Sequence, residues 1–274
     1  MSLLTQFVRV AYDHRRLFKW LIPVRGPVRV QLDGFSMYVR LDDWAVGARI
    51  AVNRRYEPHV ARVFQSLLRP GAVVVDVGAN VGYYALLAAS RVGPAGQVYA
   101  FEPGASSCRL LEQSAAANRF DSVRVFECAV SDREALVGYG MDDSNGRISH
   151  EQVATSALQV RAVTLDRALA GERKVDVIKI DVEGAEARVL RGAAELVQRD
   201  RPAIVSEFCP FGLRLASSVE PLAYLDQLRS LGYELRVIPV NGPVPAPESD
   251  ARILEQVEGD GAGDHVDLLA TPIP

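Results

Sequence analysis

The chain has 274 residues, 49% of them hydrophobic and 24% charged, with a formal net charge of −3. That is enough for one large α/β domain with a modest N-terminal addition; it argues against gross disorder and supplies no concentrated positive field for nucleic acid. The three cysteines, Cys108, Cys128 and Cys209, are scattered and odd in number, which fits unpaired thiols in a reducing cytoplasm better than a disulfide framework or a CxxC metal site.

The N-terminal segment interleaves Leu3, Leu4, Phe7, Val8, Leu17, Phe18, Trp20, Leu21 and Ile22 with Arg9, Arg15, Arg16, Lys19 and Arg25. A basic amphipathic stretch of this kind reads first as a helix packed on its own domain or on a subunit partner, which would make the chain a homo-oligomer. Its less frequent use is peripheral contact with a membrane surface. It lacks the uninterrupted apolar core and cleavage site of a secretory signal, and no apolar run approaches the ~20 residues of a spanning helix. Next, Val28 to Leu32 and Ser36 to Arg40 alternate around Asp33-Gly34, a hairpin expected to cover one edge of the main sheet. Residues 1–55 are read as this helical and hairpin extension, and 56–274 as the main domain.

Glu57-Pro58 opens a helical pattern through Val60, Val63, Phe64, Leu67 and Leu68, with proline suited to a first turn. From there strands and helices alternate. Strands are predicted at Val73 to Val77, Val98 to Phe101, Val123 to Phe126, Val175 to Ile180, Ala203 to Ser206, Glu234 to Ile238 and Val266 to Ala270. Helices are predicted at Tyr83 to Val92, Ser106 to Asn118, from Ala185 through Val189, Leu190, Ala193, Leu196 and Val197, and at Leu222 to Leu231. The rhythm specifies an α/β fold with a mostly parallel sheet covered on both faces, its last two strands forming an antiparallel edge. Two stretches break it. Ser131 to Val160 is a polar insertion of the kind that closes over a substrate, and Asn241 to Asp264 reads as a surface loop.

The first strand and its turn read VVVDVGANVGYY, Val73 to Tyr84. A dinucleotide fingerprint would want glycines at Gly78, Asn80 and Tyr83, and two are missing. Asp76 stands ahead of the turn, where an acid disfavours a phosphate and favours a ligand carrying an ammonium group. S-adenosylmethionine, with an α-amino group, a sulfonium and no phosphate, matches that inversion. Glu102, at the end of the second strand, is where an acid accepts hydrogen bonds from both ribose hydroxyls.

The segments VVVDVGANVGYY, VYAFEP, VDVIKIDVEGAEARVLRGA and IVSEF resemble the FkbM family of S-adenosylmethionine-dependent methyltransferases over roughly Tyr56 to Phe208. The resemblance implies a Rossmann-like seven-stranded class I methyltransferase sandwich that methylates hydroxyl groups of sugars, glycans or secondary metabolites. It also implies that Tyr56 and Glu57 match a family Tyr-Glu that closes over the methionine end; a helix start with a packed tyrosine is the other reading of that pair. With Asp76, Gly78, Asn80, Gly82, Tyr83, Glu102, Pro103, Ala129, Val130 and Asp181, these residues make up the candidate cofactor contacts. Adenine is expected against Cys128 to Asp132, with the Asp132 carboxylate available for its exocyclic amine.

Methyl transfer to an alcohol is an in-line displacement and calls for a general base. Asp181 and Glu183 lie at the carboxyl end of a central strand, where ligands bind. Glu183 is the first candidate base, Glu207 the second and His150 the third. Glu186 reads as a first-turn acid at a helix N-terminus. Lys179 reads equally as a paired structural lysine or a substrate contact. His59 and His265 read as structural or solvated. Asp181, Glu183 and Glu207 could surround a magnesium ion, but no ligand spacing demands one and no metal is assigned. Two alternatives remain at this level: a nicotinamide-dependent oxidoreductase on the same layered sheet, and a non-catalytic module that binds the cofactor.

Overall fold

The computed structural model describes residues 26–142, 145–149, 158–259 and 265–273. The amphipathic N-terminal segment and His150 lie outside the described residues. Strands β1 (Val28–Gln31) and β2 (Ser36–Val39) pair antiparallel. The Ser36 and Tyr38 amides donate to Asn118 Oδ1 and Ser114 Oγ, each at 2.8 Å. The hairpin therefore packs on a helix, not on a sheet edge as its sequence suggested: the helix side chains satisfy strand amides that would otherwise pair with another strand. Helices α1 (Gly47–Asn53) and α2 (Pro58–Leu67) follow; α1 was not anticipated.

The alternating part runs β3 (Val73–Val77), α3 (Tyr83–Val92), β4 (Gln97–Phe101), α4 (Ala105–Asn118) and β5 (Val123–Phe126). The polar insertion folds as a small sheet of its own. It contains β6 (Ala129–Val130), β7 (Ala135–Asp142), β8 (Asn145–Ser149) and β9 (Leu158–Val163) in the order β6-β9-β7-β8. Helix α5 (Leu165–Ala168) leads to β10 (Val177–Ile180), α6 (Glu186–Arg191), α7 (Ala194–Asp200) and β11 (Ala203–Phe208). A helical turn, Pro210–Gly212, continues as a π-turn, Leu213–Ser217. The chain closes with α8 (Pro221–Ser230), β12 (Tyr233–Val237), α9 (Asp250–Gly259) and β13 (Val266–Pro272).

The main sheet has seven strands in the order β12-β13-β11-β10-β3-β4-β5. Only β13 runs against the rest, inserted antiparallel between β11 and β12. Successive residues of β3 alternate between two cores: Val74 packs on one face of the sheet with Val98, Ala100 and Val177, and Val73, Val75 and Val77 on the other with Tyr99, Phe101 and Ile180. All five residues of β3 are buried, as a parallel strand covered on both faces requires.

Two differences from the sequence reading have local causes. The helix expected from Ala185 to Val197 is interrupted at Gly192 and Ala193, which cap α6 and α7; the Ser131 backbone crosses so close to Gly192 that a Cβ would fall 2.0 Å from its carbonyl oxygen, so glycine is required there. The stretch read as a surface loop contains α9, which buries Ile253. Ile253 and Val257 stand one turn apart and Ser249 accepts the Arg252 amide at 3.4 Å, a helix start that the surrounding acids and prolines disguised.

Candidate active site

Strand β3 delivers the chain into a turn that only small or unusual residues can make. Gly78 has φ +81, and a Cβ there would fall 1.8 Å from the Asp181 carbonyl oxygen. Asn80 also has positive φ, 49°; its side-chain oxygen accepts the Val81 amide at 2.7 Å, which suits asparagine to a left-handed position. Gly82, at φ +91, begins α3 with its Cα against Leu111. The turn borders a cavity of about 220 Å³ at the carboxyl ends of the strands.

Of the residues singled out in the sequence, Tyr56, Glu57, Gly78, Asn80, Tyr83, Glu102, Pro103, Ala129, Val130, Asp181, Glu183 and Glu207 line this cavity. Asp76 and Gly82 do not. Asp76 lies beneath the turn, where it accepts the Ala85 amide in the first turn of α3, while its Oδ2 has no hydrogen-bond partner. It supplies the cap that Gly82 lacks a side chain to provide. Burial pushes its pKa up to about 7, against the pull of Lys179. Gly82 serves the packing of α3 on α4.

Glu102 is buried at the end of β4. Its Oε2 accepts the Asn80 amide at 2.9 Å, and its Oε1 accepts the Gly104 amide at 2.7 Å and the Tyr139 hydroxyl at 3.4 Å. Burial raises its pKa and these donors oppose the rise. The carboxylate is thus held rigidly, with acceptor capacity left on Oε2. Cys128, Ala129 and Val130 form the wall beyond it. Asp132, expected to reach adenine, instead pairs with Arg188 at 3.2 Å and Arg191 at 3.4 Å.

On the other side of the turn, Lys179 is completely buried and its Nζ donates to Asp181 Oδ2 at 2.9 Å, with the Tyr84 ring 4.8 Å away. Burial alone would lower its pKa, but Asp181, Glu57 and Asp267 reverse that and hold it charged. The lysine is therefore a paired group that fixes Asp181. Glu57 accepts the Tyr84 hydroxyl at 2.8 Å; burial first and Asp181 second raise its pKa. Glu186 accepts the amides of Val182 and Gly184 at 3.2 and 3.0 Å, the first-turn role expected of it. Burial pushes it up to about 7.

Glu207 ends β11 with its side chain facing the cavity; Oε2 is buried and has no hydrogen-bond partner. Burial, then the charges of Asp181, Glu186 and Glu183, raise its pKa well above the carboxylate range. His265 also lines the cavity, with Nε2 3.8 Å from Glu207 Oε1 and its side chain 47% exposed. The half-exposed ring fits its reading as structural or solvated, but its place on the cavity wall was not anticipated: β13 inserts beside β11, a pairing of distant segments that no local pattern in the chain discloses. His59 does pair structurally, 3.4 Å from Asp267. Among the described residues no three His, Cys, Asp or Glu side chains gather closely enough to hold a metal ion.

The Methyltransferase FkbM domain family matches residues 76–235, more than half of the chain. The chain belongs to the FkbM methyltransferase family. It is similar to the 31-O-demethyl-FK506 methyltransferase FkbM of Streptomyces tacrolimicus, with 31% identity over 165 residues covering 47% of this chain and 62% of that protein. It is also similar to the hexuronic acid methyltransferase AglP of Haloferax volcanii, with 25% identity over 200 residues covering 67% and 77%. Among solved structures, the methyltransferase FkbM from Methylobacillus flagellatus aligns with a TM-score of 0.46 and 12% identity, covering 84% of this chain and 54% of that one.

As an FkbM-family methyltransferase the chain uses S-adenosylmethionine as methyl donor, which replaces the nicotinamide alternative. The residues fit that donor: the turn approaches the ligand with backbone at Gly78, the buried carboxylate of Glu102 suits a ribose diol, and the acids Glu57 and Asp181 suit an ammonium group. Besides His265, the cavity wall includes Arg49 on the unanticipated helix α1, and Gly146 and Ile148 on β8. Arg49 and Ile148 lie far from the glycine turn in sequence and carry no motif, so only the tertiary arrangement brings them in. No helix among the described residues is long and apolar enough to cross a membrane.

Proposed function

We propose that the chain is an O-methyltransferase acting on a hydroxyl of a sugar, glycan or secondary metabolite, with residues 56–274 as the catalytic domain and 1–55 as its extension. The observation that carries this is Glu207, a cavity-facing carboxylate with a buried, unpartnered oxygen and a raised pKa. An alcohol is a poor nucleophile until its proton is accepted, and a carboxylate made more basic by burial suits that task near neutral pH. Bound S-adenosylmethionine supplies the electrophilic methyl group. Glu207 accepts the hydroxyl proton, and His265 is near enough to pass it to solvent. Glu183, on the same wall, orients the hydroxyl, and Asp181, held by Lys179, faces the positive end of the donor.

The two relatives support the class of acceptor, since one is named for 31-O-demethyl-FK506 and the other for a hexuronic acid. A cytoplasmic setting is supported by the three scattered cysteines, none of which forms a disulfide among the described residues. The test is transfer of labelled methyl from S-adenosylmethionine to a panel of neutral glycosides, uronates and hydroxylated macrocycles. Acceptor-dependent labelling is expected, with Glu207→Gln cutting turnover about 100-fold or more while donor affinity stays within a few fold. Donor binding with no labelled hydroxyl product in the panel would favour a non-catalytic module.

A further inference from the structure

The strand order arranges the cavity residues along a line. Cys128 to Val130 follow β5, Glu102 ends β4, the Gly78 turn ends β3, Asp181 follows β10 and Glu207 ends β11, and these strands are neighbours in that sequence. Adjacent strands stand about 4.8 Å apart, so a ligand with its ribose on Glu102 extends over Gly78 toward Asp181. Tyr56 and Glu57 lie on that far side: Glu57 accepts the Tyr84 hydroxyl, the Tyr84 ring stands 4.8 Å from the Lys179 Nζ that pairs with Asp181, and Tyr56 reaches Tyr84 through the Tyr83 ring. The guanidinium of Arg49 lies over the Tyr56 ring, 5.6 Å from its centroid, and makes no ion pair with a described residue.

The charges along the line are lopsided. The cavity wall carries the carboxylates Glu57, Glu102, Asp181, Glu183 and Glu207, and Arg49 is its one guanidinium or ammonium among the described residues. S-adenosylmethionine has one anionic group, its carboxylate, at the end remote from adenine. We infer that Arg49 binds the methionine carboxylate, while Glu57 and Asp181 face the ammonium group beside it. A guanidinium can grip a carboxylate through two parallel N–H donors, and stacking on Tyr56 holds the fork in one plane. The inference rests on the cofactor reading. It assigns the cation to the donor, leaving the acceptor half of the cavity to Glu183, Glu207 and His265.

Calorimetric titration of the full chain with S-adenosylmethionine and with its decarboxylated form, which keeps adenosine, sulfonium and amine, tests this directly. In Arg49→Gln the affinity for S-adenosylmethionine is expected to fall about 10- to 150-fold, the size of a lost charged hydrogen-bonding pair. The affinity for the decarboxylated form should change less than about two-fold, and Arg49→Lys should recover part of the loss. Equal loss for both ligands would make Arg49 a structural residue and overturn the assignment, as would unchanged affinity for both. Tight binding of the decarboxylated form by the variant also demonstrates that it is folded. If the native chain bound neither ligand, the cofactor reading would fall and this assignment with it, a result distinct from either outcome in the variant.

Discussion

Replacing Glu102 by alanine removes the carboxylate that orders the Asn80 and Gly104 amides and that, in the proposed donor site, would accept the ribose hydroxyls. We expect Glu102→Ala to weaken S-adenosylmethionine binding by about 1.5–3 kcal/mol, read by calorimetry; unchanged affinity would remove it from the site. Asp76 is expected to act on stability. Its carboxyl keeps its proton up to about 7 when folded, whereas the unfolded chain releases it near the ordinary carboxylate value of 3.8. The native state therefore binds more protons between those values, so this group's contribution is most favourable below about pH 4 and is lost as the pH rises to about 7. Asp76→Asn, which keeps an oxygen for the Ala85 amide, should flatten the fall in unfolding free energy over that range, measured by denaturant titration at several pH values. Glu207 makes an opposite demand on activity. A base must be ionised, so turnover should climb with pH along a limb above the usual carboxylate range, and Glu207→Gln should abolish that limb.

At the scale of single elements, the turn after β3 is intolerant of any side chain at Gly78. Gly78→Ala brings a Cβ against the Asp181 carbonyl at a backbone angle that L residues avoid, a combined cost of about 2–5 kcal/mol. A matching fall in melting temperature together with lost donor binding is expected; a variant of native stability would mean that β10 yields. This turn was legible in the sequence because its signals are local: four valines around one acid, then glycines at fixed offsets. So were Glu102 and the acids after β10, since each sits at the end of a strand with its own apolar run. Asp76 was recognised as important, but its part was not. The same residue pattern serves an acid facing an ammonium group and an acid capping α3, and only the direction of the side chain separates them. Helix α1 escaped notice because its buried residues, Gly47, Ala48, Ile50 and Ala51, are mostly small and give little periodic contrast.

Across the whole molecule, the hairpin is part of the main core. Met37 and Val39 belong to the same apolar cluster as Phe64, Leu86 and Val74. Met37→Ala should therefore lower the stability of the entire domain by about 2–5 kcal/mol in one cooperative transition; a separate early transition with the main melt unchanged would show that the hairpin folds apart. Topology on this scale was the least visible from sequence. That seven strands alternate with helices follows from periodicity, but the insertion of β13 between β11 and β12, which carries His265 to Glu207, is a choice among pairings that hydrophobic pattern leaves equal. One contact reaches further than its size. At Gly184 the backbone lies so close to Gly212 that a Cβ would fall 2.2 Å from its carbonyl oxygen, and Ser217 Oγ donates to the Gly184 carbonyl at 2.6 Å. The turn bearing Glu183 and the segment leaving Glu207 are thereby clamped into one rigid piece. For anyone seeking to redirect the enzyme to a new acceptor, those two stretches are the part to leave untouched, together with β6 and Tyr139, which stand on the proposed donor side; the place for exchanges is β8, which offers Gly146 and Ile148 to the cavity.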